Sequence, residues 1–442
     1  MKKGWKRTAA IACGLALLSG CAAADGSVTE PVPKAVNYTA EDHDSWDMLM
    51  EENRISDTFE HALSQFTFRS GSRILSESGG NMNYSPLSLY YAMAIAGCGA
   101  EGETAGQIMD QLGMEDQKEL YEQCRKLYQW FYYDVQRQKA WNDAQGEGND
   151  SRIQLGNSLW ISDQLKIKKD YRKMVAGQCF APSYQVDFNS QEAGEQISSW
   201  ISRQTGGVLQ PSLDLDSETM MTILNTLYFY DGWKDNFLKK KTADDNFNQS
   251  DGSKVVCAFM NRTEEFGKFR KGDGYTVSAM RTSNGCDMVF LLPDQGRSVE
   301  EILNTPELLQ DAMSTDYKKW EGGEVSWKVP KFSFGSTLEL SELLKAMGAD
   351  KMFTKKAEFG KISKEPLFVK DVIQETHIAI DEDGVEGAAY TMIRAEAYCI
   401  VEAEERPKAD MILDRPFIYG IQDSNTGTWL FLGVCRNPAE MQ

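Results

Sequence analysis

The residues of this chain that could carry out acid–base or nucleophilic chemistry are few and scattered. Its 442 residues include three histidines, His43, His61 and His377, which lie far apart in the sequence. The chain contains no GxSxG nucleophile elbow, HExxH zinc motif, GxxxxGK[ST] phosphate loop or GxGxxG dinucleotide loop. A lone histidine in such a setting is more often a structural group than a general base. The sequence therefore indicates no catalytic residue, no metal site and no cofactor.

The segment from Gly384 to Ala397 has a pattern that suits insertion into a protein core. Alternate side chains of a strand point to opposite faces, so one face can be buried if all its residues are uncharged. No proline occurs between Asp381 and Arg406, so every amide there can join a central sheet ladder. One alternating set is small or apolar, and the set between them carries every charge of the stretch. The uncharged set is Val385, Gly387, Ala389, Thr391, Ile393, Ala395 and Ala397, and the charged residues are Glu386, Arg394 and Glu396.

Composition limits the classes of protein that this chain can represent. Apolar residues at 41% and charged residues at 26% are globular proportions, which excludes a wholly disordered chain. The 47 basic and 66 acidic residues give a formal charge of −19. Such a charge disfavours binding to nucleic acid or to an anionic membrane surface.

The N-terminus reads as an export signal. Four basic residues precede an apolar run from Ala9 to Leu18, which is too short to span a bilayer but fits a signal peptide. The run ends in Leu18-Ser19-Gly20-Cys21, which resembles the lipobox of bacterial lipoproteins. This resemblance implies export, acylation at Cys21 and attachment to a membrane at the bacterial cell surface. The alternative is an ordinary secretory signal in which Cys21 is incidental.

The rest of the chain divides into a tether and one domain. Residues 22–53, with two prolines and many acidic or small residues, predict a tether, and residues 54–442 predict a single domain without an internal boundary. Seven cysteines remain outside the leader, an odd number without CxxC pairs, so no disulfide framework or zinc site is indicated.

Periodicity predicts helices mainly in the first half of the chain and strands in the second, an α+β class. The predicted helices are 57–76, 85–96, 104–112, 117–139 and 192–205. The predicted strands are 154–161, 221–230, 255–259, 285–292, 323–334, 368–380, 416–422 and 428–434.

A series of motifs between Asp57 and Pro438 resembles the serpin family. Each motif is weak alone, but together they occur in the family's order, and they imply a fold of about three sheets and eight or nine helices with an exposed C-terminal reactive-centre loop. The motifs are NMNYSPLS from Asn81, GAEGET from Gly99, NSLW from Asn157, WISRQTGG from Trp200, NTLYFYDGW from Asn225, VPKF from Val329 and DRPF from Asp414.

Asn225 interrupts an apolar run, where an unsatisfied amide costs on the order of 1–3 kcal/mol. The resemblance implies that Asn225 joins a buried polar cluster with Ser85 and Ser88 beneath the point where the main sheet opens. Gln374 stands where relatives carry a histidine, which keeps the hydrogen-bonding groups but loses a titrating one. Trp233 resembles a tryptophan at the top of that sheet. The alternative for these residues is a purely structural role in the core.

The resemblance also implies that residues 382–408 form the reactive-centre loop, a protease bait. Counting sixteen residues from Glu382, as in similar inhibitors, predicts the reactive bond Tyr398–Cys399, with Ala397 and Ile400 as neighbouring alternatives. A bulky aromatic at that position suits proteases of chymotrypsin or elastase type. The residues expected to begin insertion are Glu382, Gly384, Val385, Glu386, Gly387, Ala388, Ala389 and Thr391.

The expected function is inhibition of serine proteases as a suicide substrate, in which the cleaved loop inserts into the main sheet. The expected partners are such a protease and, through Cys21, a membrane; we expect a monomer that binds no nucleic acid. Gly387 and Tyr390 depart from the residues usual at their positions. The alternative function is a non-inhibitory serpin that serves as a surface binding or structural protein.

Overall fold

A computed structural model describes residues 31–146, 152–213, 215, 219–370, 372–386 and 406–440, which form ten α-helices and fifteen β-strands. The α+β class predicted from the sequence agrees with this architecture. The helices are α1 His43–Glu52, α2 Asp57–Glu77, α3 Pro86–Gly99, α4 Gly102–Leu112, α5 Gln117–Gln145, α6 Lys169–Gln178, α7 Gln191–Gln204, α8 Glu300–Leu303, α9 Pro306–Met313 and α10 Ser341–Met347. The strands are β1 Met82–Tyr84, β2 Arg152–Ser162, β3 Ser183–Val186, β4 Met221–Gly232, β5 Ala243–Asn248, β6 Lys254–Gly272, β7 Tyr275–Arg281, β8 Cys286–Pro293, β9 Glu321–Pro330, β10 Phe332–Glu339, β11 Ile373–Ile380, β12 Gly384–Val385, β13 Lys408–Ile412, β14 Phe417–Asp423 and β15 Trp429–Cys435.

Local capping explains where the first long helices begin and end. Ser56 accepts a hydrogen bond from the third residue of α2, and Ser85 caps α3 ahead of Pro86 at its first position. Gly113 and Gly146 end α4 and α5 in the left-handed conformation that glycine favours. None of the helices in the described ranges combines the length and the apolarity needed to cross a membrane.

Helix α3 lies at the centre of the molecule. Of its 14 residues, 13 are buried, which is the composition of a helix surrounded by protein on every side. It packs against α2, α4 and α5 and beneath β4 and β15. Its N-terminal residues Ser85 and Ser88 are thereby placed under a sheet rather than at the surface.

The larger sheet has nine strands in the order β1-β15-β14-β8-β7-β6-β9-β13, with β5 also paired to β6. Strand β6 runs for 19 residues, far beyond the predicted 255–259, and pairs with β5, β7 and β9. Strand β6 pairs with β5 at its start and with β7 at its end, so it joins strands that would otherwise form separate sheets. The described residues therefore form two hydrogen-bonded sheets where about three were expected. The predicted strand 323–334 is two strands, β9 in this sheet and β10 in the other.

The smaller sheet carries the candidate site. Its strand order is β10-β11-β12-β4-β2-β3, and β4 pairs antiparallel with β2 over ten residues. Helix α7 covers one face through a cluster that includes Trp160 and Trp200, and α3 lies against the other. The two-residue strand β12 lies between β11 and β4 at one end of the sheet.

The prediction that residues 22–53 are a tether needs correction for the described part. Trp46 and Met50 of α1 are each only 4% exposed, and α1 packs against α5. Ahead of α1, Tyr133 donates a hydrogen bond to the Lys34 carbonyl (3.4 Å), and the Val36 amide donates to a side chain of α5. The packed body therefore begins near residue 34. Two apolar residues four positions apart share one helix face, and that face is buried.

Candidate functional site

The site centres on residues 381–386, which we call the hinge segment. Within it, Val385 lies opposite Ile380 of β11 and Asp231 of β4, both in antiparallel register, and Gly384 lies opposite Gly232. The hinge segment thus places a short strand between two longer ones. A strand in that position can be extended only by residues that follow Val385 in the chain.

Gly384 is the residue that makes this close approach possible. A Cβ atom at position 384 would lie 2.3 Å from the Asp231 carbonyl oxygen and 2.8 Å from the Gly232 Cα. Both are backbone atoms that cannot move aside without disturbing β4. Glycine is therefore required here for packing, since its φ is not in the left-handed region.

Ion pairs fix the start of the hinge segment. The Glu382 carboxylate accepts hydrogen bonds from Lys331 Nζ (2.6 Å) and Thr242 Oγ1 (2.8 Å), and Lys239 Nζ contacts the Asp383 carboxylate at 2.8 Å. Burial raises the pKa of Glu382, but the hydrogen bonds from Lys331 and Thr242 outweigh it and leave that pKa below its usual range. The carboxylate therefore stays ionised and held at neutral pH.

Trp233 is both a core aromatic and a partner of the hinge segment. Its side chain is 2% exposed, and its Nε1–H donates to the Asp381 carbonyl at 2.8 Å. Its backbone N–H donates to the Asp383 carbonyl at 3.1 Å. Trp233 is therefore a core residue that also bonds to the hinge segment, and a role in opening the sheet stays a prediction.

The first residues of the alternating segment take opposite faces. Val385 is 1% exposed and points into the core, whereas the Glu386 carboxylate lies on the other face, 3.4 Å from His377 Nδ1. Glu386 has φ +61°, a strained value for a residue with a side chain, and it ends β12. Val385 therefore lies on the face of the uncharged set, and Glu386 lies on the face of the charged set.

Beneath the sheet, Ser85, Ser88 and Gln374 come together. The Ser85 amide donates to Gln374 Oε1 (2.8 Å), and Gln374 Nε2 donates back to the Ser85 carbonyl (2.9 Å). Ser88 is joined to Ser85 through its backbone N–H, which donates to the Ser85 hydroxyl. The glutamine amide thus ties β11 to the start of α3 with both of its polar atoms.

Asn225 does not bond to that group. Its Nδ2 donates to Oδ1 of Asn157 on the neighbouring strand β2, and Asn157 Nδ2 in turn donates to the Cys179 carbonyl (2.6 Å). Asn225 Oδ1 is buried and has no hydrogen-bond partner among the described residues. The expected single polar cluster is therefore two groups. Gln374 lies on β11 and Asn225 lies on β4, on opposite sides of the position that an extended β12 would take.

Sequence reasoning missed the network that holds Asp231, the partner of Val385 on β4. The Asp231 carboxylate accepts from both the backbone N–H (3.1 Å) and Nδ2 (2.7 Å) of Asn284. The Asn284 carbonyl accepts from Gln138 Nε2 at 3.0 Å, and the same Nε2 group donates to Asp134, also on α5. These residues lie up to about 150 positions apart in the chain, and no local pattern connects them.

Several predicted residues lie outside the described ranges, so the structure does not place them. They are Cys21, Gly387, Ala388, Ala389, Thr391, Tyr398 and Cys399.

Comparison with known proteins identifies the family. A family model described as "Serpin (serine protease inhibitor)" matches residues 61–438. The chain is 29% identical over 381 residues to Serpin-ZXA of Oryza sativa subsp. japonica, which covers 82% of this chain and 91% of that protein. It is 26% identical over 439 residues to an uncharacterized serpin-like protein of Thermococcus kodakarensis, with coverage of 96% and 97%.

Solved structures show the same fold. The thermophilic serpin tengpin in its native state superposes with a TM-score of 0.72 at 23% identity, covering 88% of this chain and 98% of that one. Arabidopsis AtSerpin1 in its native stressed conformation gives 0.71 at 23% identity, with coverage of 87% and 100%. Since the family model spans most of the 442 residues, the chain belongs to the serpin family, whose members are generally serine protease inhibitors.

Proposed function

We propose that this serpin traps serine proteases as a suicide substrate whose cleaved loop becomes a strand of the smaller sheet. The observation that carries the proposal is the position of β12, between β11 and β4 with Val385 pointing into the core. Insertion after cleavage would continue a strand that already exists. The protein supplies no catalytic group; the stored strain of its uncleaved state drives the reaction.

The register of β12 predicts where each inserted residue would lie. Continued without a shift, the pairing sets Thr391 opposite Gln374 on β11 and opposite Asn225 on β4. All three side chains would then share the inner face, because directly opposed residues of a ladder point the same way. The Thr391 hydroxyl would join the two polar groups and offer a donor to the orphaned Asn225 Oδ1.

The chemistry of trapping follows from the length of this strand. The protease serine attacks the Tyr398 carbonyl, the bond to Cys399 breaks, and the new amine stays on the C-terminal part of the chain, which holds β13, β14 and β15. The acyl-enzyme ester remains on Tyr398, and about 14 residues at ~3.3 Å each move it roughly 46 Å along the sheet. Distortion of the protease against the far end would disrupt its oxyanion hole and triad, so that the ester is not hydrolysed.

We further propose that the target is of chymotrypsin or elastase type, because Tyr398 would occupy its primary pocket. The leader and Cys21 support export with a lipid anchor, at a bacterial cell surface or outside the cell, and we expect the inhibitor to act as a monomer. An acidic body of this kind would be held off an anionic membrane by charge repulsion.

The decisive test mixes residues 22–442 with chymotrypsin-like, elastase-like, trypsin-like and subtilisin-like proteases. We expect a denaturant-stable covalent complex with the first two classes and, once that complex is denatured, a separated peptide that begins at Cys399. Cleaved protein should also melt at a sharply higher temperature than intact protein. Cleavage in the loop without a complex and without this stabilisation, across the whole panel, would favour a non-inhibitory serpin.

The inferred register is tested by placing a charge on each face. Thr391→Arg would bury an unpaired guanidinium between Asn225 and Gln374, at a cost of several kcal/mol, so insertion should stall and the variant should be cleaved as a substrate. Met392→Arg is the matched control, because its side chain falls on the face that already carries Arg394, and it should still trap protease. Retained trapping by Thr391→Arg would show that the register is wrong.

A further inference from the structure

An exposed aromatic ring lies beside the C-terminal root of the reactive-centre loop. Phe266 is 71% exposed and belongs to an irregular stretch of β6 between Glu264 and Gly267, where the register with β9 shifts. The Arg406 guanidinium stacks on its ring, with Cζ 4.3 Å from the centroid. One Arg406 N–H also donates to the Glu265 carbonyl at 3.4 Å. We call Phe266 and Arg406 the Phe–Arg pair.

The backbone of three strands is arranged so that this pair can form. Strand β9 separates β6 from β13, and in the parallel register of β13 Arg406 is level with Gly322 of β9. On β9 the residues at this level are Gly322 and Gly323, which carry no side chains. A Cβ at position 323 would lie 2.0 Å from the Pro407 carbonyl oxygen, and a Cβ at position 267 would lie 2.6 Å from Val325 Cγ2. Glycine at positions 323 and 267 therefore lets the chain at Pro407 and strand β6 pack closely against β9 beside the pair.

The Phe–Arg pair lies within reach of a protease bound to the loop. Arg406 follows Tyr398 by eight residues, which span at most about 27 Å when fully extended. A protease domain of about 230 residues has a radius of gyration of about 17 Å, which corresponds to a globule about 45 Å across, wider than this separation. A protease seated on Tyr398–Cys399 therefore covers surface on the C-terminal side of the bond, where the pair stands.

We infer that the Phe–Arg pair is a contact surface for the target protease, on the side that binds residues after the cleaved bond. This inference rests on the proposed inhibitory function. The free face of the ring suits an apolar side chain, and those guanidinium donors of Arg406 that bond no described residue suit a carboxylate. The fitting partner surface is an acidic residue beside an apolar one.

The inference is tested by measuring the second-order rate constant for loop cleavage by chymotrypsin, counting trapped and released product together. Phe266→Ala should lower the rate constant about tenfold, the typical cost of removing an aromatic contact residue, and Phe266→Trp should restore it. Arg406→Met should lower it similarly and weaken its dependence on salt. The double variant should be little worse than either single one, because both remove one contact.

The control is Phe368→Ala, which removes another exposed phenylalanine from the segment before β11, at the end of that strand away from Val385. It should leave the rate unchanged. Equal rates for wild type, Phe266→Ala and Arg406→Met, with chymotrypsin still trapped, would overturn this inference and leave the proposed function intact. A loop that chymotrypsin neither cleaves nor reacts with would overturn both the inference and the proposed specificity.

Discussion

At the scale of single residues, the buried carboxylates near the hinge segment differ in how they are stabilised. Glu382 is held ionised by Lys331 and Thr242. Asp423, at the turn between β14 and β15, accepts hydrogen bonds from the Thr426 amide (2.9 Å) and hydroxyl (2.6 Å), neither of them charged. Complete burial therefore raises the pKa of Asp423 to about 6, and the nearby carboxylate of Asp134 adds to the rise.

This raised pKa predicts a specific pH dependence. A carboxyl whose folded pKa exceeds its unfolded one stabilises the protein below the unfolded value of 3.8, and that contribution is lost as pH rises through about 6. Asp423→Asn should therefore raise the free energy of unfolding by up to about 3 kcal/mol near pH 7, from a shift of roughly two units, and leave it unchanged near pH 4. Melting temperatures at the two pH values measure this.

The matched control for that measurement is Asp251→Asn, which alters a fully exposed carboxylate. It should shift neither melting temperature noticeably. If Asp423→Asn destabilises the protein equally at both pH values, its carboxylate contributes through hydrogen-bond geometry alone, and the pH prediction is wrong.

At the scale of elements, a strand of only two residues is the critical one. β12 makes few ladder bonds of its own, and its position depends on anchors before it, at Glu382 and Asp383, and on the fit of Gly384 against β4. A short strand held this way can be displaced by one methyl group. The hinge segment is consequently the element whose substitution should change the accessibility of the loop most directly.

Gly384→Ala should displace β12, since the added Cβ would lie 2.3 Å from the Asp231 carbonyl oxygen. Overpacking of this kind costs about 1–3 kcal/mol. We expect faster cleavage within residues 381–386 by a non-specific protease and altered Trp233 fluorescence, because Trp233 bonds to the Asp381 carbonyl. Gly79→Ala, where a Cβ meets nothing within 4 Å, is the control. Unchanged cleavage in Gly384→Ala would mean that β12 is not held by this fit.

At the scale of the whole molecule, the packed body is larger than the family-matched region. Helix α1 packs on α5, and α5 reaches Asp231 through Gln138 and Asn284. The N-terminal segment therefore supports the same helix that braces β4 beside the hinge segment.

Trp46→Ala tests whether α1 belongs to the body. Removing a tryptophan that is 4% exposed should lower the free energy of unfolding by about 3 kcal/mol. Met48→Ala alters a side chain of the same helix that is 67% exposed and should change it by less than about 0.5 kcal/mol. Chemical denaturation measures both. Equal, small effects would show that α1 behaves as part of the tether.

The sequence by itself determined the features that depend on local order. The alternation from Val385 onward and the ordered motifs are read within a few residues of one another. The motifs predicted the serpin fold, and insertion of the alternating segment stays a prediction. Only the tertiary structure decided which distant polar groups meet. Asn225 bonds Asn157 rather than Gln374 because the pairing of β4 with β2 places the two asparagines opposite each other.

Contacts between distant residues also explain two features that the sequence did not predict. Whether residues 34–53 pack depends on a complementary surface of α5 about 100 residues away. Whether Phe266 meets Arg406 depends on how the sheet places β6 and β13 on either side of β9. Contacts of this kind arise when the chain brings remote segments into register. They are consequences of the assembled fold, because each partner alone has no pattern that specifies the other.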